Sequence, residues 1–385
     1  MIVPSRAMTD FRTALATSSQ ILPDAKNLYF YPRGRDALLV ALRAFKIVPG
    51  DAIVIPAYIC ESTVEPLRRA GYRVVFVDIE SDFQLDPYKV LETAEIYDAK
   101  AVLAVHYFGF PLDFGRLVAL LHSSGVRVIE DCCHSFLTHY GGRRIGSYGD
   151  AVIFSMRKTL PIPDGGAIHI NAQDFDRTVF SCVSNTSPFV GLYLASRAVE
   201  AFINSVGWPN IYSPASDVLK KQLRGRMRTH ELKLGLDFLP RRQLPSKLLE
   251  KYLSNENYLR RVRDRTAENY VLLVKGTLAL GLQPFIQQLP FGCVPQWMPL
   301  LDLSGQIVPW LRKHGVGACR WPWHELPADV ISFQARYPIS NDLNSRLALI
   351  PVHQTIGLRE VSQMLYLLEK LMDQTATARI EKTVL

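Results

Sequence analysis

Residues 128–171 read VIEDCCHSFLTHYGGRRIGSYGDAVIFSMRKTLPIPDGGAIHIN, and this stretch decides the fold. It opens as a buried strand and runs into an acid pair, Glu130 and Asp131. Small residues and a histidine follow, then a glycine-punctuated hairpin. A second apolar strand ends in Ser155-Met156-Arg157-Lys158, ahead of the turn Pro163-Asp164-Gly165-Gly166. Charge is costly at the ends of buried strands unless something pairs with it. A carboxylate and a lysine placed there therefore call for a partner.

Outward from that stretch, residues 35–170 alternate two patterns. GRDALLVALRAFKI, CESTVEPLRRAG, DPYKVLETAEIYD and LDFGRLVALLHSSG have helical periodicity. AIVIPAY, YRVVFVDI, AKAVLAVHYFG and VRVIEDCC are short apolar runs of strand character. This alternation predicts an α/β fold, a mostly parallel sheet with helices on both faces. In such sheets ligands bind outside the carboxyl ends of the strands. The polar residues just past those ends are Tyr58, His106, Asp131, His134, Ser155 and Lys158.

Beyond residue 172 the pattern turns helical and polar, with an insertion-like stretch near 186–228 that is amphipathic and then basic. LPSKLLEKYLSNENYLRRVRDRTAENYVLLVKGTLAL reads as one long helix or two. The tail returns to α+β: CVPQWMPLLD as a strand, GQIVPWLRKHG and LREVSQMLYLLEKLM as helices. The expected division is a large domain over residues 1–250 and a smaller C-terminal α+β domain over 251–385, with the boundary between 245 and 275.

The 385 residues are 48% hydrophobic and 21% charged, an ordinary globular composition, with a formal charge of +8. The densest basic run, KKQLRGRMRTHELK, has little aromatic interleaving and reads as a solvated face, not a nucleic-acid groove. Six cysteines (Cys60, Cys132, Cys133, Cys182, Cys293, Cys319) form no CxxC pair and no zinc-ligand spacing, so no metal is expected and the thiols suit a reducing compartment. MIVPSRAMTDFRTALATSSQ lacks a signal-peptide core, and FVGLYLASRAVEAFINSV carries Arg197 and Glu200. A cytoplasmic protein without membrane contact is expected.

A carboxylate at a strand end can pair with a cationic ring nitrogen, and a lysine can form a Schiff base with an aldehyde. Pyridoxal phosphate (PLP) needs both, together with a phosphate cup of helix N-terminal amides and a hydroxyl. Gly34, Arg35 and Asp36 open a helix, and Ser155 lies three residues before Lys158. In this light GDAIVIPAY, VVFVDIESDFQLDP, VHYFGFPLDFGRL, VIEDCCHSF, GGRRIGSYGDAVIFS and DGGAIHIN, taken in order, resemble the DegT-type (DegT/DnrJ/StrS-like) sugar aminotransferases. Those are PLP-dependent transferases of fold type I. The resemblance covers about residues 30–171 and continues more weakly through LRKHGVGACRWPWHELP and SRLALIPVHQTIGLREVSQMLYLLEKL.

The resemblance implies a homodimer that moves an amino group from an amino acid such as glutamate to a keto group of a nucleotide-linked sugar, in deoxysugar or polysaccharide biosynthesis. It makes Lys158 the Schiff-base lysine and Asp131 the partner of the pyridinium nitrogen. It sets His134 near the ring hydroxyl, Ser155 on the phosphate, and Gly34, Arg35 and Asp36 in the phosphate-binding turn. Three departures stand out. The Ser155 to Lys158 spacing is shorter than the family's, Arg35 and Asp36 replace small residues, and Cys60 stands where the family stacks an aromatic ring, leaving Tyr58 as the stacking candidate. Asp237 or Arg242 stands in for the family's partner-subunit residues.

Plainer readings stay open beside these. Asp131 also reads as a cap or ion pair, Lys158 as a solvated lysine or phosphate clamp, and His134 and Ser155 as ordinary hydrogen-bonding residues. His106 and Tyr107 read equally as pocket lining or core. Trp321, Trp323 and His324 read as substrate-facing residues or as packing between domains, and Cys132-Cys133 as small strand packing. Two alternative functions remain. One is a PLP-dependent sugar dehydratase or lyase, whose resembling members carry histidine in place of Lys158. The other is a non-catalytic PLP-binding relative, suggested by Arg35, Asp36 and Cys60.

Overall fold

A computed structural model describes Val3 and residues 27–141, 143–181, 183–184, 240, 242–243, 245–322 and 325–384. In chain order the elements are β1 (Leu28–Tyr31), α1 (Gly34–Ala44), β2 (Ala52–Pro56), α2 (Glu61–Arg69), β3 (Arg73–Val77), α3 (Pro87–Ile96), β4 (Ala99–Val105), α4 (Gly115–Ser123) and β5 (Arg127–Asp131). There follow β6 (His139–Tyr140), β7 (Arg143–Arg144), β8 (Ala151–Ser155), β9 (Gly166–Ile170), β10 (Val183–Ser184) and β11 (Arg242–Gln243). The C-terminal part has α5 (Lys247–Leu253), α6 (Glu256–Ala279), β12 (Trp297–Leu301), α7 (Ile307–Lys313), α8 (Ala328–Ser332), α9 (Pro338–Arg346), β13 (Leu347–Pro351) and α10 (Leu358–Val384).

Strands β3, β2, β4, β5 and β8 lie side by side in that order and are all parallel. Every residue of β2 and of β8 is buried. Burial on both faces is why these strands read as unbroken apolar runs and not as alternating ones. On the far side of β8 the sheet turns antiparallel, through β9 and then β1. The sequence pattern missed β1, whose four residues are too few to show a period. It also missed β13, which follows α9 without a break and pairs antiparallel with β12.

Period-2 alternation sends the side chains of β8 into two cores. Ala151 and Ile153 join the larger core, which runs through α1 and β2–β5 to Tyr270, Leu273, Met364 and Leu368 of the C-terminal helices. Val152 and Phe154 join a smaller one with Leu249, Tyr252, Tyr258 and Leu259. The stretch left as one helix or two is two: Ser254 closes α5, and Asn255 opens α6 by accepting Tyr258 N–H at 2.9 Å. No helix among the described residues is long and apolar enough to cross a membrane. The insertion-like stretch at 186–228 lies outside the described residues.

Candidate active site at the strand ends

The acid pair splits across the sheet, because successive side chains of a strand leave on opposite faces. Glu130 is fully buried, and its carboxylate accepts Tyr148 N–H at 2.7 Å, Gly149 N–H at 2.6 Å and His106 Nε2 at 2.9 Å. His106 Nδ1 accepts Leu112 N–H at 3.1 Å, so the ring proton sits on Nε2 and is donated to Glu130. Of the two readings of His106, pocket lining or core, this buried bond supports the core. Glu130 and His106 hold the backbone that surrounds the site.

Asp131 lies at the end of β5, 8% exposed, and its Oδ1 accepts Cys133 N–H at 2.8 Å. Cys133 is the meeting point of the other candidates. Asp131 and Lys158 both act electrostatically on its thiol, and burial is the largest cause of that thiol's raised pKa. An ideal Cβ built on Gly34 would stand 2.6 Å from Cys133 Sγ and 3.4 Å from Ser155 Cβ. Only glycine lets the start of α1 come this close. Gly166 does the same on the neighbouring strand, where a Cβ would fall 2.2 Å from the carbonyl carbon of Arg33.

Gly34, Arg35 and Asp36 form the first turn of α1, closed by Asp36 N–H and Ala37 N–H on Arg33 O at 3.1 and 3.3 Å. Ser155 ends β8, and Lys158 follows in a short 3-10 turn, Met156–Lys158. Two glutamines from the C-terminal part hold that turn: Gln296 Nε2 donates to Lys158 O at 3.4 Å and Gln354 Nε2 to Thr159 O at 3.2 Å. Gln296 Oε1 is buried without a hydrogen-bond partner among the described residues. Neither glutamine carried a signal in the sequence. Each lies well over a hundred residues from the turn it supports.

His134 is 6% exposed, with its ring parallel to Phe108 (centroids 5.7 Å apart, 13°) and edge-on to Trp321 (5.3 Å, 80°). Tyr58 was expected as the ring-stacking residue, and here the structure corrects the expectation. The ring is completely buried, flanked by Trp321 at 4.8 Å, Tyr107 at 5.5 Å and Phe83 at 6.2 Å, so it offers no open face. Tyr107 donates its hydroxyl to Tyr58 O at 2.7 Å, which places both in the core. Burial pushes the phenol pKa of each far above its ordinary value.

Cys60 takes the N-cap position of α2, with Sγ 3.0 Å from Ser62 Oγ and 3.3 Å from Thr63 Oγ1. It lies close enough to Cys133 and Tyr107 to act electrostatically on both, so it borders the same cluster. Arg242 lies over the Tyr29 ring at 5.1 Å, and both it and Asp36 act on the Tyr31 hydroxyl. Trp323, His324 and Asp237 lie outside the described residues.

Residues 31–187 match the model of the DegT/DnrJ/EryC1/StrS aminotransferase family. Among curated relatives, a UDP-N-acetyl-3-dehydro-alpha-D-glucosamine 3-aminotransferase of Acidithiobacillus ferrooxidans is 38% identical over 141 residues, 36% of this chain and 38% of the relative. The spore coat polysaccharide biosynthesis protein SpsC of Bacillus subtilis is 31% identical over 212 residues, 54% of this chain and 52% of its own. GDP-perosamine synthase of Escherichia coli O157:H7 is 31% identical over 149 residues, 38% and 40% of the two chains. The chain thus spans about half or less of the length of these relatives.

Two solved structures show the fold. The aminotransferase TlmJ of Streptoalloteichus hindustanus superposes with a TM-score of 0.64 at 18% identity, over 91% of this chain and 87% of its own. A Streptococcus pneumoniae protein assigned as a sugar aminotransferase, in its PMP form, gives 0.70 at 14% identity over 98% and 100%. The match to the DegT/DnrJ/EryC1/StrS aminotransferase family is confined to residues 31–187, the part of the chain that holds Asp131, Ser155 and Lys158.

Proposed function

We propose that the chain is a PLP-dependent aminotransferase. It takes an amino group from an amino acid, glutamate or a close analogue, and delivers it to a keto group of a nucleotide-linked sugar. The observation that carries this reading is the convergence of Asp131 and Lys158 on one buried thiol, Cys133, at the ends of neighbouring parallel strands and beside the start of α1. The residues present fit the cofactor. Gly34 and Gly166 keep a cradle that a side chain would fill, Gln296 Oε1 is a buried acceptor still wanting a donor, and Lys158 Nζ has no hydrogen-bond partner among the described residues.

When bound, PLP supplies an aldehyde that links covalently to amines and a ring that takes up electrons from the adjacent carbon. The protein's own residues do the rest. Asp131 holds negative charge against the cationic ring nitrogen. The amides of the first turn of α1, at the positive end of the helix, and the Ser155 hydroxyl receive the phosphate. Arg35 would add a charge-assisted bond. Lys158 Nζ would hold the aldehyde, and its amine would be the group that moves a proton at the reacting carbon. Gln296 and Gln354 keep the lysine turn in register.

The names of the relatives support a nucleotide-linked sugar as acceptor. In the same reading residues 1–250 form the cofactor domain and 251–385 the smaller domain, the protein works as a homodimer, and its free thiols suit the cytoplasm.

The test is a half-reaction. The PLP-loaded protein, mixed with glutamate, is expected to turn its cofactor into pyridoxamine phosphate, followed by absorbance, with release of one 2-oxo acid per site. Lys158→Ala is expected to slow this by about 10³-fold. A wild-type protein that binds PLP and gives no half-reaction with any amino donor would overturn the proposal.

A further inference from the structure

Between the β6–β7 hairpin and strands β1, β8 and β9 lies a cavity of about 140 Å³. Its apolar walls are Leu28, Phe136, Val152, Phe154 and Met156, and Arg144 of β7 lines it from the hairpin. In the register of β5 and β8, Val152 stands beside Glu130, whereas Ile153 stands beside Asp131. Successive side chains leave a strand on opposite faces, so the cavity lies on the face of the sheet away from Asp131. It is separate from the site at the strand ends.

Arg144 is half-buried, and its guanidinium makes no hydrogen bond or ion pair among the described residues. Burial lowers its pKa from the ordinary value, and no carboxylate acts on it. A guanidinium nevertheless keeps its proton in a protein. None of the described residues that line the cavity is acidic. Asn171 is already engaged: its Nδ2 donates to Gly146 O and Gly149 O, both at 2.9 Å, and its Oδ1 lies 3.0 Å from His169 Nδ1. Those bonds fix the turn after β7, and a Cβ at Gly146 would fall 2.5 Å from Val152 Cγ2. Only glycine lets the turn sit this close to the strand. The cavity is thus preformed and apolar, with one uncompensated cation at its edge.

We propose that this cavity binds a small carboxylate whose apolar body is about the size of one ring. An unmatched charge beside apolar walls is costly, and an anionic ligand removes that cost. The planar guanidinium matches a carboxylate with two parallel bonds. The body fills the space among Phe136, Phe154 and Met156. The size agrees, since an apolar cavity of about 150 Å³ stays dry and takes up benzene. The site has no part in the amino transfer and does not depend on that reading.

The probe is benzoate, titrated calorimetrically into the full-length protein, with benzyl alcohol as its uncharged match. Benzoate is expected to bind saturably with a Kd of about 1 mM, and benzyl alcohol about tenfold more weakly. Arg144→Met is expected to weaken benzoate binding by about tenfold and to melt no lower than wild type, because it sheds an unpaired charge. Leu28→Phe fills the cavity, leaves Arg144 in place and is expected to lose benzoate as well. Lys158→Ala is expected to bind benzoate as wild type does. No saturation by about 10 mM benzoate, or an unchanged affinity in either cavity variant, overturns the proposal. So does loss of binding in Lys158→Ala, which would put benzoate at the strand-end site. A melting temperature of Arg144→Met below wild type also overturns it, by giving the guanidinium a partner within the protein. A wild type that binds benzoate as expected but gives no half-reaction upholds the cavity site and defeats the functional reading instead.

Discussion

At Glu130 three donors converge on one fully buried carboxylate: the amides of Tyr148 and Gly149 and Nε2 of His106. A buried charge is tolerable when its lone pairs are filled in this way, and removing the match leaves donors facing a donor. Glu130→Gln is therefore expected to cost about 3 kcal/mol in stability, measured by urea unfolding. A loss below about 0.5 kcal/mol would show that the three bonds do not carry the strand end. Asp131, one residue on, has fewer protein donors and more left to offer a ligand. That difference, and not the residue type, separates the structural acid from the one proposed to face the cofactor.

Among elements, the loop from β8 to β9 carries Lys158, the proposed Schiff-base lysine, and α5 braces it. Asp164 lies in that loop, buried, with Ser246 Oγ donating to its Oδ1 at 3.2 Å. Ser246 is itself the N-cap of α5, accepting Leu249 N–H at 3.2 Å. Burial raises the Asp164 pKa above its ordinary value, while the Ser246 bond pulls it down by less. The ionised form is thus the penalised one in the folded protein. The penalty is absent below about pH 4, where the unfolded chain is protonated too, and it grows as the pH rises above that. Asp164→Asn keeps an acceptor for Ser246 and removes the charge. Its melting temperature is expected to equal or exceed that of wild type at pH 7, with the advantage shrinking toward pH 4. A variant less stable at pH 7 than at pH 4, relative to wild type, would show that Asp164 ionises favourably in the folded state.

Across the whole molecule, the C-terminal elements are tied to the sheet near the site. Asp78, just past β3, accepts Ile339 N–H at 2.9 Å and Ser340 N–H at 3.0 Å. It caps α9 from across the fold, since the residue ahead of that helix, Tyr337, makes no side-chain cap. A carboxylate at a helix N-terminus also meets the positive end of the helix dipole. Asp78→Ala is expected to cost about 2 kcal/mol and to speed amide exchange in residues 338–346. Unchanged exchange there would mean that α9 is held by its packing alone. The nearby Arg68–Asp329 pair, at 2.7 Å, is partly exposed and contributes little. The larger core, continuous from β2–β5 to α10, gives the two halves a shared interior.

The local order of the chain was legible in the sequence. Apolar runs and helical periods report burial, and burial on both faces of β2, β4, β5 and β8 is a local property that needs no partner to be seen. Asp131, Ser155 and Lys158 stood out as candidates for the same reason, as polar residues just past the ends of such runs, but so did Tyr58 and His106, which the fold buries completely. Tertiary structure alone decided which acid of the pair is spent on the scaffold, because the donors to Glu130 come from residues 106, 148 and 149. It also decided that Tyr58 belongs to the aromatic core, that Cys133 is the hub, and that Gln296 and Gln354 brace the lysine turn. Hydrogen bonds between residues distant in the chain leave no period in the sequence. Only folding brings those donors and acceptors within 3.5 Å of one another.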